Sequence, residues 1–462
     1  MGIAARGLHI WGSLHGSISI YTRNGRGPSG EIRSGKEGRG GGAETGGGHQ
    51  VRSDPARNDA AAAAQKKMET SGSLHALCDD ALLEILVRLP SKSVLRCRAV
   101  CKNWRRITTD LSFLAAHAAR RPRQMLVITQ SYTVSAIPLS LDPSPADDDT
   151  GRRRGCLCDP TTRDEDGTRI SLCGLLSSLD GLLVLQQSPG RFIVCNPTTR
   201  QWTKLPALGP EPCTIVFACG FYFHSPSGEY RLLCHGTEAA ASSPDRNEED
   251  SYYYILSAGA AMPRRLARAP ADRPVGMGYE HPVACREILH WCSVHPEARR
   301  TGKMLAFHTV TETFWLMARP PCNTSAPQPP YDTAAALLEL DGALCAVAMQ
   351  GMTLLNIWAL QDYESQRWML RDQVVMQPPE SLNDRFVDKA MAISEGGDAI
   401  LIGRPPYSRL VKLLDLKEKK LRKKMDLSPS YPKFIVFSES LMPHAFFESP
   451  RCFELGPLKF SD

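Results

Sequence analysis

Two short pairings in this 462-residue chain have the residue types to hold a metal, Cys156-Leu157-Cys158 and His290-Trp291-Cys292. A structural zinc ion needs four ligands converging on it, generally as two close pairs. A single intervening residue strains simultaneous ligation, and no matching pair follows at a suitable distance. Asp147, Asp148 and Asp149 lack the further oxygen ligands of a calcium loop and read as a solvated surface. The glycine tract at residues 38–48 is not a phosphate loop, because no strand precedes it and no Gly-Lys-Ser/Thr follows. Neither a His-Glu-x-x-His, a nucleophile elbow nor a kinase-like set is present. We therefore expect no catalytic residue, no cofactor and no metal site: the chain is expected to work by binding.

Length and charge narrow what it binds. The net charge is +6, and residues 1–67 supply +5 of it with ten Lys or Arg against five Asp or Glu. The remainder is near neutral, which argues against nucleic acid as a partner. Those first 67 residues also hold 15 glycines and an alanine run from Ala60 to Ala64. Such a composition cannot bury enough apolar surface to offset chain ordering, so a disordered basic tail is expected over 1–67. Met68, just beyond it, is an alternative start of translation. Fifteen cysteines, an odd number at irregular spacings, suit free thiols in a reducing compartment, so a cytoplasmic or nuclear location is expected. Met1–Ile20 has no continuous apolar core and no run reaches bilayer length, so neither a leader nor a membrane partner is expected.

The element that must do the binding begins at residue 74. Leu82, Leu83, Ile85, Leu86 and Leu89 fall at helical spacings after Asp79 and Asp80, which suit an N-terminal cap. Pro90 stops that helix. Ser91 or Ser93 can cap a second, carrying Val94, Leu95, Val100 and Cys101, and Trp104 and Ile107 lie on a third segment. Three short helices bury little, so part of this apolar surface is expected to belong to a partner.

Leu77, the ALLEILVRLP run of Ala81–Pro90, the Ser91-Lys92-Ser93 link and the RAVCKNWRRI run of Arg98–Ile107 resemble an F-box, and Phe113 and His117 close the stretch as in plant members. Where that family usually has Leu-Pro, this chain has Leu77-Cys78. The resemblance implies docking on the Skp-type adaptor of a cullin–RING (SCF) ubiquitin ligase, through Leu77, Leu82, Ile85, Leu86, Pro90, Leu95, Val100, Cys101 and Trp104. It sets the F-box at residues 68–120.

From Met125 the periodicity changes to that of strands: MLVITQ, YTVSAIPL, GLLVLQ and RFIVCN, with a polar stretch from Asp142 to Thr168 that reads as a long surface loop. Four segments share a strand, a polar turn and a return strand. Aligning their turn starts at Asn196, Thr309, Asp362 and Asp415 puts Trp202, Trp315, Trp368 and Leu421 six residues downstream each time. The last three starts are 53 residues apart and the first gap is about two such units, with a missing unit near Tyr252–Leu266. A hairpin repeated at this period is the pattern of β-propeller blades; a large open sandwich is the other arrangement it permits. Asn196 is expected to supply a turn, and Trp202, Trp315 and Trp368 to pack between blades.

Asp180–Leu185, the CNPTTRQWTKLP run ending at Pro206, Leu338–Val347 with Ile357–Leu360, and the LLDLKEKKLRKK run near the end resemble the F-box-associated domain found behind plant F-boxes. The fold expected is thus a small all-α F-box followed by a mainly-β domain over 121–462, a β-propeller or incomplete propeller of four-stranded blades. What the two resemblances imply together is a non-catalytic substrate receptor of an SCF ligase that presents one or more protein substrates while partners carry the transfer chemistry. The alternative is a protein-interaction scaffold whose F-box is weak or works outside a ligase.

Overall fold

A computed structural model describes residues 78–130, 133–139, 155–159, 161–163, 169–171, 174–208, 213–238, 251–266, 281–292, 303–321, 335–351, 353–377, 387–393, 398–405, 408–447 and 459–460. The glycine-rich tail, Leu77, Asp147–Asp149 and the polar insert at 242–250 lie outside the described residues.

Four helices come first: α1 (Asp79–Leu86), α2 (Ser91–Cys97), α3 (Lys102–Thr109) and α4 (Leu111–Ala119). The pattern of apolar residues anticipates three. The fourth is started by Asp110, whose carboxylate accepts from the backbone N–H of Ser112 at 2.9 Å and Phe113 at 3.3 Å. The second helix ends at Cys97, so Val100 and Cys101 lie in the connection to α3 and not on α2. Pro90 is the N-cap of α2, and neither Ser91 nor Ser93 caps it. Cys78 is the N-cap of α1, with Asp79 and Asp80 in the first turn. Its φ of −66° is the angle a proline would impose, so the backbone enters α1 as Leu-Pro would direct it.

The strands then close a ring of six blades. Blade one starts with β1 (Gln124–Ile128), β2 (Val134–Pro138) and β3 (Gly155–Asp159), and a small hairpin of β4 (Thr161–Arg163) and β5 (Arg169–Ser171) follows. The stretch from Asp142 to Thr168 is therefore no simple loop. Blade two is β6 (Gly174–Leu179), β7 (Leu182–Ser188), β8 (Arg191–Asn196) and β9 (Gln201–Lys204). Blade three is β10 (Cys213–His224), β11 (Glu229–Glu238), β12 (Ser251–Ser257) and β13 (Arg264–Arg265). Blade four is β14 (Val283–Cys285), β15 (Ile288–Trp291), β16 (Lys303–His308) and β17 (Thr313–Ala318). Blade five is β18 (Ala336–Leu340), β19 (Ala343–Gln350), β20 (Leu354–Asp362) and β21 (Arg367–Val375). Blade six is β22 (Lys389–Ala392), β23 (Ala399–Gly403), β24 (Leu410–Asp415) and β25 (Lys420–Asp426). Finally β26 (Tyr431–Phe437) returns to blade one as its inner strand, pairing antiparallel with β1, and β27 (Lys459–Phe460) pairs outside β3.

This last pairing joins the end of the chain to its start, so the propeller is closed and not incomplete. No blade can bury both faces alone, and six apolar cores fill the six junctions between neighbouring blades. The outer edge strand β25 carries Lys420, Arg422, Lys423 and Lys424, which discourages pairing with another chain.

The repeat seen in the sequence is the third hairpin of each blade, but its register slips by one in blade four. Asn196, Asp362 and Asp415 each accept backbone N–H bonds from within their own turns, and Arg200, Gln366 and Lys419 four residues later sit at positive φ. In blade four these roles fall to His308, whose Nδ1 accepts from Val310 N–H at 3.2 Å, and to Glu312 at φ 53°. The turn therefore starts at His308, not Thr309, and the counterpart of Trp202 and Trp368 is Phe314, not Trp315. Side chains alternate along a strand, so one residue of slip reverses the face. Trp202, Phe314, Trp368 and Leu421 each pack toward the preceding blade, whereas Trp315 packs toward the following one.

Candidate interaction site

The helical module has a core of Leu82, Leu86, Val87, Val94, Ile107, Phe113 and Leu114. Leu86 is 1% exposed and Leu82 3%, so these two lie in the core of the module. Ile85, on the other side of α1, is 46% exposed, Val100 is 57% and Leu111, at the start of α4, is 63%. Pro90 is exposed, and Leu95, Cys101 and Trp104 are half-buried. Cys101 caps α3, its Sγ accepting the Trp104 N–H at 3.5 Å. One turn, two helix starts and a connection thus carry large apolar side chains into solvent, in a module too small to spare them.

A segment far along the chain completes that core. Leu441, 2% exposed, packs among the helices, with Met442 against their edge. The Ser91 hydroxyl donates to the Glu439 carboxylate. On the propeller side, Asn196 is fully buried and its Nδ2 donates to the Ser440 carbonyl at 3.0 Å, while its Oδ1 accepts from Thr198 and Thr199. The same strap runs over the β6–β7 turn. There Asp180 and Gly181 both have positive φ, and a Cβ on Gly181 would lie 2.4 Å from Ser440 Cβ. His117, buried, holds the Leu89 carbonyl at 3.0 Å; burial pushes its imidazole below the usual range, so it acts here as a neutral packing group stacked on Phe113. Residues 438–442 therefore tie helices to ring. Sequence reading missed this strap, because Leu441 and its helical partners are more than 300 residues apart and no local pattern links them.

Trp202, Trp315 and Trp368 are partly buried at blade junctions. Trp368 also donates its indole N–H to the Ala318 carbonyl of blade four at 3.1 Å. The largest fully buried side chain is another, Trp291, which donates to the Cys219 carbonyl of blade three at 3.2 Å. Its neighbours His290 and Cys292 have no third metal-ligating side chain beside them among the described residues. His290 donates from Nδ1 to the Val283 carbonyl at 3.1 Å, Tyr363 OH lies 3.4 Å from its Nε2, and burial pushes it down to about 4. Cys158 is buried at the junction of blades one and two beside Cys195, whose thiol is pushed up first by its bond to Cys158 and then by burial. Among the described residues, no three or more His, Cys, Asp or Glu side chains converge to hold a metal ion. No helix among them is long and apolar enough to cross a membrane.

Comparison with known families agrees with this geometry. Residues 74–115 match the F-box domain, and residues 160–431 match the F-box associated beta propeller domain. The chain is 31% identical over 144 residues to F-box protein At5g49610 of Arabidopsis thaliana, covering 31% of this chain and 36% of that relative. A putative F-box/kelch-repeat protein of Arabidopsis thaliana, At1g15680, is 26% identical over 64% of this chain and 72% of its own length. F-box protein CPR1 of the same plant is 22% identical over 79% of this chain and 88% of its own length. The matches to the first relatives thus span little more than a third of those proteins.

Proposed function

The chain belongs to the F-box-associated β-propeller family, and from that premise we propose that it is the substrate-recognition subunit of an SCF-type ubiquitin ligase. The helical module docks on the Skp-type adaptor, and through it on the cullin–RING assembly. The propeller holds a protein substrate. The chain itself then needs no catalytic residue: it raises the effective concentration of a substrate lysine near a charged conjugating enzyme carried by partners. The observation that carries this reading is the strap at 438–442. It supplies Leu441 to the helical core and bonds Asn196 of blade two, so one short segment contacts both the helical module and the ring.

The adaptor-facing residues are the exposed part of the sequence-derived set, Ile85, Pro90 and Val100, joined by Leu111, with half-buried Leu95, Cys101 and Trp104 behind them. The test is co-purification of the full chain with adaptor and cullin, with and without Ile85→Asp and Val100→Asp together. We expect the wild-type chain to bring down both partners and the variant neither. Retention of both by a folded variant refutes the docking face, and failure of the wild type to bind adaptor refutes the ligase role.

A further inference from the structure

Charge is divided unevenly along the chain. Residues 78–123 hold ten Lys or Arg against four Asp or Glu, whereas residues 124–462 hold 35 against 39. The helical module is therefore basic and the ring slightly acidic. Within the module the surplus gathers at one place. Lys92, Arg96 and Val100 follow one another at intervals of four, on α2 and the turn that continues it. In that turn the Ala99 N–H donates to the Arg96 carbonyl at 3.0 Å and the Val100 N–H to the Cys97 carbonyl at 3.1 Å. The spacing puts the three side chains on one face, and all three are exposed. From α3 comes exposed Lys102, two residues beyond Val100. Arg105, also exposed, donates from Nε to the Arg98 carbonyl at 3.2 Å, which brings its guanidinium over the same turn.

No carboxylate neutralises this group from within. Among the described residues, none of Lys92, Arg96, Lys102 and Arg105 has an acidic partner. Elsewhere in the module cations are paired: on α1 the same four-residue interval joins Arg88 to Glu84 at 2.9 Å, and Arg106 pairs with Asp79. Lys92 and Arg96 instead set like charges at that interval, which weakens a helix. Lys92 also stands in the first turn of α2, where the helix dipole disfavours a cation. Folding gives no reason for this choice, and an acidic surface laid against it does. Val100, 57% exposed among the cations, argues that the surface is protein. Contacts to a phosphate backbone are made by charged and polar groups and need no apolar centre, whereas a protein interface has one with a polar rim.

We propose that Lys92, Arg96, Lys102 and Arg105 form a basic collar around Val100 that receives an acidic surface of the Skp-type adaptor. The proposal rests on the ligase reading and adds to it the chemistry of the partner's surface and the residues that select it. Rim charges act chiefly on the rate of association, whereas buried contacts set the rate of release. The test is stopped-flow association of the full chain with purified adaptor at about 0.05 M and about 0.3 M salt. The wild-type rate is expected to fall at least about tenfold across that range. With Lys92→Gln, Arg96→Gln, Lys102→Gln and Arg105→Gln combined, the rate in low salt should drop by a similar factor and lose most of its salt dependence. Dissociation should change less than about threefold. Lys92→Glu separates docking from folding, because it recreates on α2 the Glu–Arg interval of α1. It should leave the melting temperature equal or higher, yet slow association. Should the fourfold variant fail to fold, Lys92→Glu and the wild-type salt dependence decide. A wild-type rate indifferent to salt, or unchanged association in the variants, overturns the collar and leaves the ligase reading standing. Failure of the wild type to bind adaptor at all overturns both. A short DNA duplex and vesicles containing phosphatidylserine are run alongside. Binding of either with the adaptor's affinity, lost in the fourfold variant, assigns the collar to phosphates and overturns the proposal.

Discussion

Replacing Gly181 with alanine tests the strap that joins the helical module and the ring. Two costs arise. The first is conformational: Gly181 has φ +81°, and an L-residue in the left-handed region costs about 1–2 kcal/mol. The second is steric. The new Cβ would sit 2.4 Å from Ser440 Cβ, 2.9 Å from Ser440 N and 3.1 Å from the Ser438 carbonyl oxygen. Two of these neighbours are backbone, so the strap must move and the buried Asn196–Ser440 bond stretches or breaks. Leaving the Asn196 amide unsatisfied costs about 1–3 kcal/mol. Gly342→Ala is the control: it lies in the same kind of Asp-Gly turn, at φ +72°, with nothing within 4 Å of the added methyl. It should carry the conformational cost alone. Gly181→Ala is thus expected to be about 1–3 kcal/mol less stable than Gly342→Ala, roughly 1–4 °C in melting temperature for a chain of this size. Amide exchange should locate the difference, with faster exchange in α1, α2 and α4 in Gly181→Ala and not in Gly342→Ala. Equal melting temperatures, or an exchange change confined to β6 and β7, would refute the strap argument.

Three other outcomes follow from particular contacts. Trp291→Ala should cost about 3–5 kcal/mol in denaturant unfolding, since the ring is 1% exposed between blades three and four; Trp315→Ala, only partly buried, should cost less. Glu312 accepts from Tyr222 OH at 2.8 Å and Arg231 Nη1 at 2.6 Å, and also pairs with Arg264, tying blade four to blade three. Glu312→Ala should cost about 2–3 kcal/mol, below the value for a fully buried pair because Arg264 is half exposed. Burial raises the Glu312 carboxyl, but the bonds from Tyr222, Arg264 and Arg231 together outweigh it and hold the group below its ordinary value. Its contribution is therefore full above the ordinary carboxylate range and lost as pH falls through the depressed folded value. A melting series into acid should show a smaller drop for Glu312→Gln than for wild type, and identical slopes would remove the linkage.

The local signals in the sequence are those that depend on near neighbours. The apolar spacing of Leu82 and Leu86, the stop at Pro90, and the Asx turns of Asn196, Asp362 and Asp415 each arise within a few residues, so helices and hairpins were legible without coordinates. The blade period was legible because four similar hairpins recur. What the sequence could not decide is which face each residue shows. Leu86 and Ile85 are adjacent, yet one is core and the other open, because α1 packs on Phe113 and on Leu441 from the far end of the chain. Trp315 packs between blades as expected, but on the opposite face from Trp202 and Trp368 with which spacing aligns it, because the turn of blade four uses His308, an imidazole doing the work of a carboxylate, and spacing alone cannot detect that exchange. Ring closure by β26 and the strap across Gly181 are likewise tertiary. Each joins segments that meet only when the sixth blade has brought the chain back to the first, and no local propensity encodes that meeting.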